Sequence, residues 1–132
     1  MNWKAIGIWG AVLFLGGGLL GFVPQYKKVS QLTRELDSLR SESKLQEIRG
    51  LASLSYVDTA RMNYGSAAEH AERMFDLSRQ LASETKSDGL RSSLAGIASF
   101  HDTVMSKLRS ADPSALEPLQ QLVQKTQREL KP

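Results

Sequence analysis

Two histidines, His70 and His101, are the strongest candidates for a metal ligand or a general base in this 132-residue chain. His70 stands between Glu69 and Glu72, which together suggest a ligand cluster. The chain nevertheless lacks the His-x-x-x-His, His-Glu-x-x-His and Glu-x-x-His spacings that put two ligands on one helical face. No metal or other cofactor is therefore expected. His101 is followed directly by Asp102, and successive helical residues point about 100° apart, so Asp102 is not expected to orient the imidazole as in a hydrolytic triad. His101 reads instead as a partly buried structural residue on an apolar stripe. The chain has no cysteine, which removes disulfides, thiolate metal sites and cysteine nucleophiles. Outside the first 24 residues there is no glycine-rich phosphate loop, and a Gly-x-Ser-x-Gly elbow is absent. Glu69 and Arg73 are spaced to pair along a helix, worth a few tenths of a kcal/mol. Ser41-Glu42 and Ser83-Glu84 read as solvated breaks. These features argue against an enzyme.

The elements that would position any site begin with 19 uncharged residues, Ala5 to Val23, preceded by Trp3 and Lys4 and followed by Tyr26, Lys27 and Lys28. A helix of that length rises about 28 Å, close to the hydrocarbon thickness of a bilayer, which predicts one membrane span over residues 1–24. The stretch is longer than a secretory signal's apolar region and ends in Phe22-Val23-Pro24-Gln25-Tyr26, too bulky for a cleavage site, so the anchor is expected to be retained. Basic residues flank both ends and give little orientation bias. The expectation is a bacterial inner-membrane protein with its C-terminal part facing outward. Gly7, Gly10, Gly17 and Gly21 share one face with Phe14, which suits close approach of another membrane helix. Glycine is also common in membrane helices generally, so helix pairing and plain composition both explain them.

Pro24 lacks an amide donor and disfavours helical geometry at Val23, so a bend or interruption is expected there. Beyond it, Val29, Leu32, Leu36 and Leu39 follow the 3-4-3 spacing of a coiled-coil seam, with Lys28, Arg34, Glu35, Asp37 and Arg40 on the other faces. This predicts an amphipathic stalk over residues 25–44 and possible self-pairing through it. At Ser41-Glu42-Ser43-Lys44 the seam loses its phase, and a wider apolar face follows at Leu45, Ile48, Leu51, Ala52, Leu54 and Tyr56. Residues 24–49 hold six Lys/Arg against four Asp/Glu, whereas residues 50–132 hold ten of each. The basic excess is membrane-proximal and suits contact with anionic headgroups, although a solvated helix explains it as well. The alternating signs argue against nucleic acid as a partner.

The remaining sequence predicts a small antiparallel helical bundle over residues 45–132, all-α like the rest. After a turn at Arg61–Ser66, capped by Asn63 or Ser66, a helix is expected over 65–84, with Ala67, Ala71, Met74, Phe75, Ser78, Leu81 and Ala82 on one face. Another is expected over 89–110, capped by Asp88, its stripe running through Leu90, Leu94, Ile97, Ala98, His101, Val104, Met105 and Leu108. Asp112-Pro113 opens the last, which carries Leu116, Leu119, Leu122, Val123 and Thr126 and frays near Arg128. Tyr56, Tyr64 and Phe75 are placed to cluster as core around the first hairpin.

The segment Leu51 to Met74, with Leu51 and Leu54 on its first helix, Asn63-Tyr64 at the turn and Ala67 opening the second, resembles one tetratricopeptide-type helix pair. It departs from that family's pattern at Leu51 and Ser55, and it lacks the closing proline and a second copy at the 34-residue period. The resemblance covers about 24 residues of 132 and implies only a helical interaction surface. Anchor, stalk and bundle together also resemble the small bitopic subunits of bacterial envelope machines, such as division and pilus-assembly proteins.

The function expected is that of a non-enzymatic, single-pass membrane adaptor or assembly subunit that docks a protein partner. The alternatives are a sensory or ligand-binding four-helix domain and an accessory subunit of a membrane redox or transport complex. Residues 45–132 alone are expected to be helical and soluble; an unfolded far-UV circular dichroism spectrum for that fragment refutes the boundary.

Overall fold

The computed structural model describes the backbone of residues 3–131 and the side chains of residues 26–131. It contains helices α1 (Trp3–Ala60), α2 (Tyr64–Glu84), α3 (Asp88–Ala98), α4 (His101–Arg109) and α5 (Leu116–Glu129), with a 3₁₀ turn over Pro113–Ala115 ahead of α5. Among the described residues there is no strand, so the all-α expectation holds. None of their helices is long and apolar enough to cross a membrane. The side chains of the expected span over residues 1–24, its glycine face included, lie outside the described residues. The interruption expected at Pro24 is not made: α1 runs helical through it, a single proline removing one amide donor without ending a long helix.

Contacts divide the chain into two units, Met1–Leu39 and Arg40–Pro132. In the first, every described side chain is exposed. In the second, α1 is helical straight through Ser41–Lys44, where the sequence suggested a break. Three polar residues and a lysine cost little in a helix that tertiary packing holds immediately downstream, at Leu45 and Ile48. From there α1 buries Leu45, Ile48, Leu51, Ala52, Ser55 and Thr59, the i, i+3, i+4 stripe of a helix with one packed face. It ends in a tight turn. Asn63 N–H donates to the Asp58 carbonyl and Met62 N–H to that of Thr59, while Met62 adopts a left-handed φ of 62°. This is the paired bonding of a Schellman cap, made without the usual glycine.

The turn returns the chain antiparallel along α1. Small residues at the crossing, Ala52 and Ser55 on α1 with Ala67 and Ala71 on α2, let the backbones come close. The fully buried Ser55 hydroxyl donates across the gap to the Ala67 carbonyl at 2.8 Å. Phe75, Met74 and Leu81 continue the face, with Tyr56 and Tyr64 half-buried against the same core. Helix α2 also packs on α3 and α4, and α5 covers both of those.

Three helix boundaries differ from the sequence expectation. The stripe over 89–110 keeps one phase, yet the helix is interrupted at Ser99-Phe100. The Ser99 hydroxyl donates to the Gly96 carbonyl at 2.7 Å, occupying the acceptor that Phe100 N–H would use, and that amide turns to Ile97 instead. A serine bonding back onto its own helix next to a glycine is a known cause of bending. The cap of α3 is Ser87 rather than Asp88, its hydroxyl accepting from Leu90 N–H at 3.2 Å. At the last helix, Asp112 accepts from Ser114 N–H at 2.8 Å as expected of an N-cap. The first turn is nonetheless 3₁₀, because an α-helix starting at Pro113 would set the Pro118 ring against the Ser114 carbonyl. Starting α5 at Leu116 places Pro118 in its first turn, where no donor is needed. The far end is held by Leu130, fully buried one residue past the helix.

Two substitutions of opposite kind are expected to stabilise the bundle. Gly50 is exposed inside α1, and a Cβ there meets nothing within 4 Å. Gly50→Ala should therefore add about 1 kcal/mol. Ala111 sits at a left-handed φ of 51° in a second Schellman cap, so Ala111→Gly should add about 0.5 kcal/mol once the unfolded-state entropy of glycine is counted. Urea unfolding of each variant checks both.

Candidate interaction surface

Each of the two histidines lies against a carboxylate. His70 Nδ1 lies 2.9 Å from Asp58 Oδ2, across the α1–α2 hairpin, and the same oxygen accepts the Ser66 hydroxyl at 2.8 Å. A carboxylate, an imidazole and a serine thus meet. The serine, however, donates to the carboxylate and not to the imidazole, so no nucleophile is activated. What the trio does is fasten the first turns of α2 to the end of α1. The Ser66 bond first, and the His70 contact after it, hold the Asp58 carboxyl below the ordinary carboxylate range. Among the described residues no group of three or more His, Asp or Glu side chains is disposed to hold a metal.

His101 corrects an expectation. It is the first residue of α4, and its Nδ1 does reach Asp102, at 2.9 Å. Adjacent side chains diverge within a helix, but at its first position the ring can swing toward the next carboxylate. The Asp102 side chain is fully exposed, unlike the buried carboxylate of a triad. The other ring nitrogen, Nε2, faces Glu72 Oε1 at 3.5 Å, so carboxylates flank both nitrogens. The ring stands edge-on to Phe75, centroids 5.1 Å apart. As the sequence suggested, it is half-buried. Glu72 also lies 3.8 Å from Arg79 Nη2 and 3.6 Å from Arg109 Nη2.

Two polar side chains expected to act locally instead make contacts between helices. Arg73, expected to pair with Glu69, donates through Nε and Nη2 to Glu47 Oε1 of α1, at 3.1 and 2.7 Å. Glu84, expected in a solvated break, binds Lys44 Nζ at 2.6 Å. That lysine, with help from Gln80, holds the Glu84 carboxyl below its ordinary range. Helical spacing identifies partners one turn away but does not reveal which side chains meet across a hairpin. The signal for Asp58 was its position just before the turn, opposite Ser66 and His70, which lie one turn apart on α2.

The seam Val29, Leu32, Leu36 and Leu39 stands exposed among the described residues. These side chains are 62, 58, 54 and 61% exposed, and Tyr26 just ahead of them is 72% exposed. On the second unit's part of α1, Leu54 and Val57 are also exposed. The glycine face of Gly7, Gly10, Gly17 and Gly21 lies outside the residues described in full. No known family, curated protein or solved structure matches this chain.

The Asp58 cluster makes a testable contribution to acid stability. Its folded-state pKa lies below the unfolded one, so the stabilisation is complete above the ordinary carboxylate range and is lost as pH falls through the lowered value. Asp58→Asn is expected to lower stability at neutral pH and to flatten its fall on acidification, read from thermal unfolding midpoints between about pH 7 and pH 3.

Proposed function

We propose that this chain is a single-pass, membrane-anchored adaptor or assembly subunit of a bacterial envelope, in which a helical stalk and a small helical bundle engage protein partners without catalysing a reaction. One observation carries the reading: four large aliphatic side chains at seam spacing, Val29, Leu32, Leu36 and Leu39, stand more than half exposed on a helix whose described neighbours are all exposed too. A contiguous apolar stripe of this kind is costly in water and marks an interaction surface. The uncharged stretch from Ala5 to Val23, bounded by Lys4 and by Lys27 and Lys28, supports the anchor.

The reading is tested by recovering the tagged full-length chain from its native membrane in mild detergent and identifying what accompanies it. Stoichiometric recovery of a protein partner is expected. Leu36→Glu, which places a charge in the seam but touches no core residue, should reduce that recovery at least tenfold while leaving the thermal midpoint of the bundle within about 2 °C. Undiminished recovery from Leu36→Glu would remove the seam from the reading, and a chain found only in the soluble fraction would remove the anchor.

A further inference from the structure

The seam has a charge pattern that selects its occupant. With Val29 and Leu36 at heptad position a and Leu32 and Leu39 at d, the flanking g positions are Lys28 and Glu35 and the flanking e positions are Thr33 and Arg40. We infer that residues 28–40 pair with the same residues of a second copy of this chain, parallel and in register. In that arrangement a g residue faces the e residue five positions on in the other helix, so Glu35 of each copy meets Arg40 of the other, twice by symmetry. Both residues are exposed and available for this contact. In the first heptad, valine at a with leucine at d also favours two strands over three or four; Leu36, at the second a, adds no such preference.

The competing arrangements fit less well. Antiparallel pairing would bring Lys28 to Glu42 of the second copy, but it sets Glu35 against Glu35. The parallel seam also has a defined end. Carrying the same frame onward puts Ser43, Gln46 and Gly50 at its core positions, none of them a knob. The next e residue, Glu47, is engaged by Arg73 of its own chain. Pairing therefore stops after Arg40, close to where the second unit begins.

Two heptads make a weak dimer in dilute solution. Confinement of both chains to one membrane, which rests on the anchor proposed above, raises their effective concentration and imposes the parallel orientation. The self-pairing itself is a property of residues 28–40 and is open to test independently of any other partner.

The native chain has no cysteine, so Val29→Cys and Leu39→Cys each introduce a single thiol. Full-length chains carrying either one, reconstituted in lipid vesicles and treated with a mild oxidant, are expected to form disulfide-linked dimers. A mixture of the two variants should give no cross-linked heterodimer, since positions 29 and 39 lie about 15 Å apart along the seam. Heterodimer alone would show antiparallel pairing, and absence of any cross-link at both positions would show an unpaired seam; either result overturns the inference. A charge exchange separates self-pairing from a foreign occupant. Glu35→Lys should raise the dimer dissociation constant about tenfold, and adding Arg40→Glu should restore it. Failure of the double exchange to rescue overturns the g–e′ contact. A seam without cross-links in a chain that still recovers its partner protein would refute the self-pairing and leave the adaptor reading standing.

Discussion

Close approach between α1 and α2 is the constraint on which the bundle depends. It is possible because the crossing is lined by Ala52, Ser55, Ala67 and Ala71, all buried, so that a side-chain hydroxyl on one helix reaches a backbone carbonyl on the other. A larger residue at any of these positions would separate the helices and move Phe75, Met74 and Leu81 out of register with the helices that cover them. Ser55 is well suited to this place: it is small enough for the crossing, and its hydroxyl is not left unsatisfied on burial.

Around that contact, polar side chains fix the hairpin's alignment and contribute little to the core. Lys44–Glu84, Glu47–Arg73 and Asp58 with Ser66 and His70 fall in antiparallel order along α1 and α2. Each is partly exposed, so each is worth little in isolation. Together they penalise any slide of one helix along the other, because a one-turn shift would break all three at once. Register is thus set by charge at the rim of the hairpin, while affinity between the helices comes from the apolar surface between them.

Much of this was readable from residue spacing. The face of α2, from Ala67 to Leu81, is buried as the periodicity required, and the start signal at Asp112 functions as a cap. What escaped was local competition for backbone groups. The Ser99 hydroxyl and the Pro118 ring each alter one turn of helix, and neither changes the apolar stripe from which helices are recognised. Contacts across the hairpin escaped for a different reason: they depend on how two helices are rotated about each other, which no single helix encodes. For His101 the partial burial was foreseen and its contact with Asp102 was not. The apolar spacing of Val29, Leu32, Leu36 and Leu39 is a property of the sequence, to which the structure adds their exposure.

The packing order has a kinetic side. Helix α2 lies against its predecessor and both of its immediate successors, and α5 closes onto α3 and α4, so nearly every interface joins elements close in sequence. Low contact order of this sort shortens the search for the native state toward the millisecond range or below. During synthesis the α1–α2 hairpin can align as soon as Glu84 has left the ribosome, before α3 has emerged. The bundle can therefore grow helix by helix from an already aligned pair, leaving little time for a nascent apolar face to find the wrong neighbour.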